Sequence, residues 1–127
     1  MHSLDEKRTK RINKLVSLFG EGDMNVVIPQ AIEVIKEYQS AVAYNILALA
    51  HKRLGNYGLA KDIYEKLLVS NPKNTLFLGN LGNIYMDIGK LDKAEECFKK
   101  CLEVNPKNFN VSISLGGLSA SIGKLDY

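Results

Sequence analysis

The sequence predicts an all-α protein built from stacked antiparallel helical hairpins, and three observations carry this prediction. Glycines recur at intervals of 34 residues, at Gly55, Gly89 and Gly123. Pro72 and Pro106 keep the same interval, each within the string Asn-Pro-Lys-Asn. The segments between these residues carry apolar side chains at helical spacing. A fixed period of this kind is typical of arrays in which each repeat packs on the next.

The segment 75–108 shows how each interval arises. Its first predicted helix, residues 75–88, is followed by Gly89, which adopts the left-handed cap conformation at little cost. Residues 91–104 form a second amphipathic helix, and Pro106 blocks its continuation. The unit is therefore helix, tight turn, helix and break. The apolar stripes of the two helices are Leu78, Leu81, Ile84, Tyr85 and Ile88 in the first, and Leu91, Ala94, Phe98, Cys101 and Leu102 in the second.

The two central segments resemble the tetratricopeptide repeat family. Residues 75–108 match the family pattern at Leu78, Leu81, Gly82, Tyr85, Gly89, Ala94, Phe98 and Pro106. Residues 41–74 match it at Tyr44, Leu47, Ala48, Gly55, Ala60, Tyr64 and Pro72. His51 stands there in place of the usual aromatic residue. The resemblance covers about two-thirds of the chain and implies hairpins stacked as a right-handed α-solenoid of about seven helices.

We expect one domain over residues 1–127, with an atypical repeat at each end. It comprises a degenerate N-terminal hairpin over 1–40, repeats over 41–74 and 75–108, and a partial repeat over 109–127. In the N-terminal hairpin we expect Pro29 in the first turn of the second helix. The predicted apolar stripes of this hairpin are Leu15, Val16, Leu18 and Phe19, and then Ile28, Ile32 and Ile35.

The sequence of the last repeat predicts an apolar surface that no other helix covers. Tyr127 falls where the second helix of the last repeat would begin. Without that helix, we expect the stripe of Leu115, Leu118 and Ile122 to be exposed. Either the sequence is a piece of a longer array, which we favour, or another subunit covers this end by self-association.

The repeat and the lack of catalytic motifs favour a binding protein over an enzyme. No phosphate-binding loop, dinucleotide-binding glycine pattern, zinc-protease motif or serine nucleophile motif is present. We therefore expect no catalytic residue, cofactor or metal site. Cys97 and Cys101 are interpreted as small core residues.

With no secretory signal and no long apolar run, we expect a cytoplasmic protein without a membrane partner.

The resemblance implies a concave groove lined by the first helices of successive repeats, which would bind a peptide or a partner protein. Its expected residues are Asn45, Leu49, Lys52, Arg53, Asn80, Asn83, Met86, Asp87, Asn110 and Ser114. Asparagine can both donate and accept, so an asparagine row can hold a peptide backbone. Family members that grip a chaperone C-terminus use basic residues where this chain has Leu76 and Ser114, so that partner is not expected.

Two other functions stay open. The chain could be the N-terminal repeat region of a larger enzyme, such as a glycosyltransferase, sulfotransferase or oxygenase, which is family analogy. The first 14 residues hold five basic and two acidic side chains. Such a basic arm could bind nucleic acid, although it is more often a solvated helix start.

Overall fold

The computed structural model describes the backbone of residues 2–125 and the side chains of residues 4–123. Within these residues the chain forms seven α-helices and no strand, which confirms the all-α prediction. No described helix is long and apolar enough to cross a membrane. The described residues cluster into two compact units, which divide between Ile63 and Tyr64. The helices are α1 His2–Glu21, α2 Met24–Tyr38, α3 Ala41–Arg53, α4 Tyr57–Ser70, α5 Thr75–Asp87, α6 Leu91–Val104 and α7 Phe109–Leu125.

In the first unit, α1 packs against α2 and α3, and α2 packs against α3. Asp23 accepts a hydrogen bond from the Asn25 N–H and caps α2, while Ser40 accepts one from the Ala43 N–H and caps α3. Such caps satisfy backbone donors that have no partner inside the helix. The buried core of this unit comprises Leu15, Met24, Val27, Ala31, Val34, Ala43, Ile46 and Ala50.

The predicted apolar stripe of α2 is wrong for Ile32, while Ile28 and Ile35 pack at the edge of the core. Ile32 is exposed and Ile28 and Ile35 are half-buried, whereas the buried residues are Met24, Val27, Ala31 and Val34. The helix begins at Met24, so Pro29 lies in its second turn and not its first. In α1, Leu15 is buried but Val16 is exposed. Apolar residues occur on several faces of α2, and packing against α1 and α3 selects among them.

Glycine turns connect two pairs of helices, as the repeat predicts. Gly55 and Gly89 have φ values of 82° and 80°, a region that costs residues with a Cβ more than glycine. After each glycine a backbone N–H reaches back to the helix, from Asn56 to the His51 carbonyl and from Lys90 to the Tyr85 carbonyl, both at 2.8 Å. Gly123 forms no such turn, because α7 continues through it to Leu125. Tyr127 lies outside the described residues.

In the second unit, α5 packs against α6, and α6 packs against α7. Asn74 accepts from the Phe77 N–H at 3.0 Å, and Asn108 accepts from the Val111 N–H at 3.2 Å. These two asparagines stand 34 residues apart and each caps the helix that follows it. The Asn-Pro-Lys-Asn string therefore both ends one hairpin and begins the next.

The apolar surface on α7 differs from the predicted one. Leu118 is only 2% exposed, and Leu115 and Ile122 are half-buried. The prediction that these three residues form an exposed end is wrong for Leu118, because α7 turns that side chain into the interior as it packs against α6. The exposed apolar residues of α7 are instead Phe109 and Ile113, at 76% and 73%.

Candidate peptide-binding cleft

A cleft lies between α5 and α7 in the second unit, with Phe98 of α6 also lining it. It encloses about 350 Å³, a volume at the lower end of the range of ligand pockets. The described residues that line it are all uncharged. They are Thr75, Leu76, Gly79, Asn80, Asn83, Phe98, Asn108, Asn110, Val111 and Ser114.

Helical spacing brings the lining residues of α5 onto one face. Leu76, Gly79, Asn80 and Asn83 follow one another at intervals of three, one and three residues, which repeats along a single side of a helix. Across the cleft, the lining residues of α7 share a face in the same way. The Asn108 cap begins α7 at the edge of the cleft and so sets where these residues start.

One of the cleft asparagines is held by the core. Asn80 Nδ2 donates to the hydroxyl of Tyr64 at 3.1 Å, and Tyr64 is completely buried. Burial raises the pKa of Tyr64, so its hydroxyl stays protonated over the whole ordinary pH range. The ring of Tyr64 also lies 6.1 Å from that of Phe77, between centroids. Asn80 is therefore oriented by α4 before any ligand arrives.

Asn83 on α5 and Asn110 on α7 also line the cleft, and their side chains are available to hydrogen-bond to a ligand. Among the residues that the structure describes, neither the Asn83 nor the Asn110 side chain has a hydrogen-bond partner. Each side-chain amide carries a donor group and an acceptor oxygen. Together they offer a potential ligand two bonding amides on opposite walls of one cleft.

The structure brings together four of the ten predicted groove residues, namely Asn80, Asn83, Asn110 and Ser114. Met86 and Asp87 lie at the C-terminal end of α5 and do not line the cleft. The prediction omitted Thr75 and Val111, which line it beside the asparagines. Val111 lies one residue after Asn110 and three before Ser114, so helical spacing would have found it, whereas Thr75 lies five residues before Asn80.

The remaining predicted residues belong to the first unit, on α3. Asn45, Leu49 and Lys52 are half-buried there. The guanidinium of Arg53 lies 4.0 Å from the centroid of the Phe19 ring, and its Nη1 donates to the Phe19 carbonyl at 3.3 Å. Arg53 thus caps the C-terminal end of α1. Its main contact in the structure is with its own unit.

The two cysteines of α6 have raised pKa values. Burial, with a smaller effect of Glu96, raises the pKa of Cys97 to about 11, and burial also raises the pKa of the Cys101 thiol. A raised pKa leaves little thiolate at neutral pH, and thiolate is the reactive form. Among the described residues, no three His, Cys, Asp or Glu side chains converge to hold a metal ion.

Comparisons with known proteins agree with this architecture. Family models described as tetratricopeptide repeat match residues 41–74 and 76–108. No curated protein matches the sequence.

Solved structures show the same fold at low sequence identity. The first TPR of Spaghetti (RPAP3) bound to the HSP90 peptide SRMEEVD superposes with a TM-score of 0.84 at 20% identity, covering 93% of this chain and 94% of that one. The first TPR domain of human RPAP3 gives 0.83 at 19%, covering 92% and 93%. The Sgt2 TPR domain from Aspergillus fumigatus gives 0.84 at 15%, covering 94% and 82%.

The family models match more than half of the chain, and the repeat interval and the two glycine turns agree with them. The chain therefore belongs to the tetratricopeptide repeat family.

Proposed function

We propose that this chain is a protein-interaction module that binds a segment of a partner polypeptide in the cleft between α5 and α7. The observation that carries the proposal is the pair of side-chain amides on Asn83 and Asn110, which line one cleft from two helices. Peptide backbone presents donors and acceptors in every residue except proline. Amide side chains can satisfy both kinds of group whatever side chains the peptide carries.

The fold supports the proposal. A protein of the same fold, the first TPR of Spaghetti (RPAP3), is bound to an HSP90 peptide. Small-ligand and peptide sites are generally concave, largely apolar and furnished with a few polar groups. The α5–α7 cleft has this character, with Leu76, Phe98 and Val111 beside its asparagines.

The test begins with a binder of defined sequence. The 127-residue chain is used to select from a phage-displayed library of random peptides, and the enriched peptides are synthesised with blocked ends. Affinity is then measured by isothermal titration calorimetry. We expect Asn83→Ala and Asn110→Ala each to weaken binding by about three- to tenfold, because each removes about one hydrogen bond.

The matched control is Asn25→Ala. Asn25 is the second residue of α2 as Asn110 is the second residue of α7, and it is exposed in the first unit. We expect this control to bind like the wild type. Failure to enrich any peptide, or equal affinities for all four proteins, would contradict the assignment of the cleft.

A further inference from the structure

Helix α5 contains two interior glycines, and only one of them is required by the packing of the protein. A Cβ on Gly82 would lie 2.5 Å from Cε1 of Phe98, which is closer than real atoms approach. A Cβ on Gly79 would instead lie 3.6 Å from Cγ2 of Val111, an ordinary van der Waals contact. Alanine is therefore sterically excluded at position 82 and accommodated at position 79.

Gly79 nevertheless lowers the stability of its own helix. Glycine inside a helix is less favourable than alanine because it loses more backbone freedom on folding. Its φ is not in the left-handed region, so no turn requires it. Neither local conformation nor packing within the unit accounts for glycine at this position.

The position of Gly79 supplies a different reason. It lines the cleft on α5, next to Asn80 and facing Val111 of α7. The missing side chain leaves bare backbone at the wall of the cleft. Glycine within a regular element is commonly found where a ligand or another backbone approaches closely.

The lining also restricts the charge of the ligand. No described lining residue carries a charge, so a carboxylate or ammonium group placed in the cleft would lose water without gaining an ion pair there. Burying a charge without a partner is costly. An uncharged main-chain segment, by contrast, can bond to the amides of Asn83 and Asn110.

We propose that Gly79 is the point of closest approach for the ligand backbone, and that the cleft selects an extended, uncharged internal segment of a partner polypeptide. This inference rests on the proposed function and adds the class of ligand and the residue that admits it. The helix surface at Gly79 has no side chain, lies beside asparagine amides and faces Val111. It therefore accommodates the main chain of a peptide better than a bulky or charged end group.

The test uses Gly79→Ala and Gly79→Leu in the full chain, with Gly116→Ala as the matched control. Gly116 is also an interior helical glycine, but a Cβ there would meet nothing within 4 Å and the residue does not line the cleft. We expect the alanine substitutions at both positions to raise Tm by a few degrees, about 3 °C, from helix propensity alone.

Binding should separate the two positions. Against the blocked peptides enriched from the random library, we expect Gly79→Ala to weaken affinity by about tenfold and Gly79→Leu to abolish it, while Gly116→Ala binds normally. The enriched peptides themselves should be uncharged over the segment that they share. Tm measured on each variant distinguishes loss of binding from loss of fold.

The two proposals fail in different ways. If Asn83→Ala weakens binding but Gly79→Ala and Gly79→Leu bind like the wild type, the role of Gly79 is overturned and the proposed function stands. Enrichment of acidic peptides overturns the ligand class. If sedimentation shows a dimer that Gly79→Leu dissociates, the occupant is a second copy of the chain and the inference is overturned. If no peptide binds the wild type, both proposals fall.

Discussion

Gly82 contacts the ring of Phe98, which occupies the space where a Cβ at position 82 would lie. The Cβ position would be 2.5 Å from Cε1 and 2.8 Å from Cδ1 of the aromatic side chain. Phe98 is only 1% exposed, so moving the ring away from Gly82 would disturb its packing in the interior. This contact joins α5 to α6 in the way that the repeat pattern predicts.

Replacing Gly82 by alanine should therefore destabilise the protein. Overpacking a core costs about 1–3 kcal/mol, while the better helix propensity of alanine returns up to about 1 kcal/mol. We expect a net loss of about 1–2 kcal/mol in the free energy of unfolding, measured by urea denaturation. Gly79→Ala in the same helix should change stability in the opposite direction. A Gly82→Ala protein as stable as Gly79→Ala would contradict this account of the contact.

Much of this fold could be predicted from the sequence because the two central repeats carry the same pattern of turn glycines, small residues and large residues. The turns at Gly55 and Gly89 and the small residues Gly82 and Ala94 keep one register, and the structure has each of them in its expected place. The N-terminal hairpin has no such register. There the most buried residues of α2 depended on tertiary packing, and the prediction missed Val27, Ala31 and Val34 and included the exposed Ile32.

The cleft was predicted less completely than the fold. Asn83 and Asn110 were predicted because the family resemblance implies a groove lined by the first helices of successive repeats. The bond from Arg53 to the Phe19 carbonyl, and that from Asn80 to Tyr64, were not predicted, because each joins residues that are distant in sequence. Such contacts decide whether a polar residue is available to a ligand, and spacing along one helix carries no information about them.

Because its side chain is hydrogen-bonded to Tyr64, Asn80 should contribute to the stability of the fold. Tyr64→Phe removes the buried hydroxyl and should lower the free energy of unfolding by about 1 kcal/mol. We expect Asn80→Ala to destabilise by a similar amount, and the double variant to lose less than the sum. Urea denaturation of all four proteins measures this coupling. Strictly additive losses would show that the two side chains do not interact in solution.

Two asparagines that occupy equivalent positions should contribute equally as helix caps. Asn74→Ala and Asn108→Ala each remove a side-chain acceptor from an otherwise unpaired N–H, at Phe77 and Val111. Each should cost about 1 kcal/mol of stability, whereas Lys73→Ala, in the exposed loop beside Asn74, should cost little. Thermal unfolding followed by circular dichroism tests this. A Lys73→Ala loss as large as that of Asn74→Ala would refute the role of the cap.

His51 should make the free energy of unfolding decrease as the pH drops below about 6.5. Its Nδ1 is buried and has no hydrogen-bond partner among the described residues, and burial lowers its pKa below the ordinary 6.5. The unfolded chain then binds a proton at a higher pH than the folded chain does. The free energy of unfolding is therefore highest above pH 6.5. It decreases as the pH drops from 6.5 toward the lower pKa that His51 has in the folded state.

The substitution His51→Phe should remove this dependence, because it places an aromatic ring where the next repeat has Tyr85. We expect the wild type to lose Tm between pH 7.5 and 5.5 and the variant to lose less. Differential scanning calorimetry at the two pH values measures the difference. Parallel losses in both proteins would assign the pH dependence to other groups.

The claim that the α5–α7 cleft binds uncharged peptide backbone is tested most directly by nuclear magnetic resonance. A selected, blocked peptide is titrated into the 15N-labelled chain, and both backbone and asparagine side-chain amide shifts are followed. We expect the largest changes at the side-chain amides of Asn83 and Asn110 and at the backbone N–H of Gly79. Saturating binding that leaves these three resonances in place and moves others would contradict it.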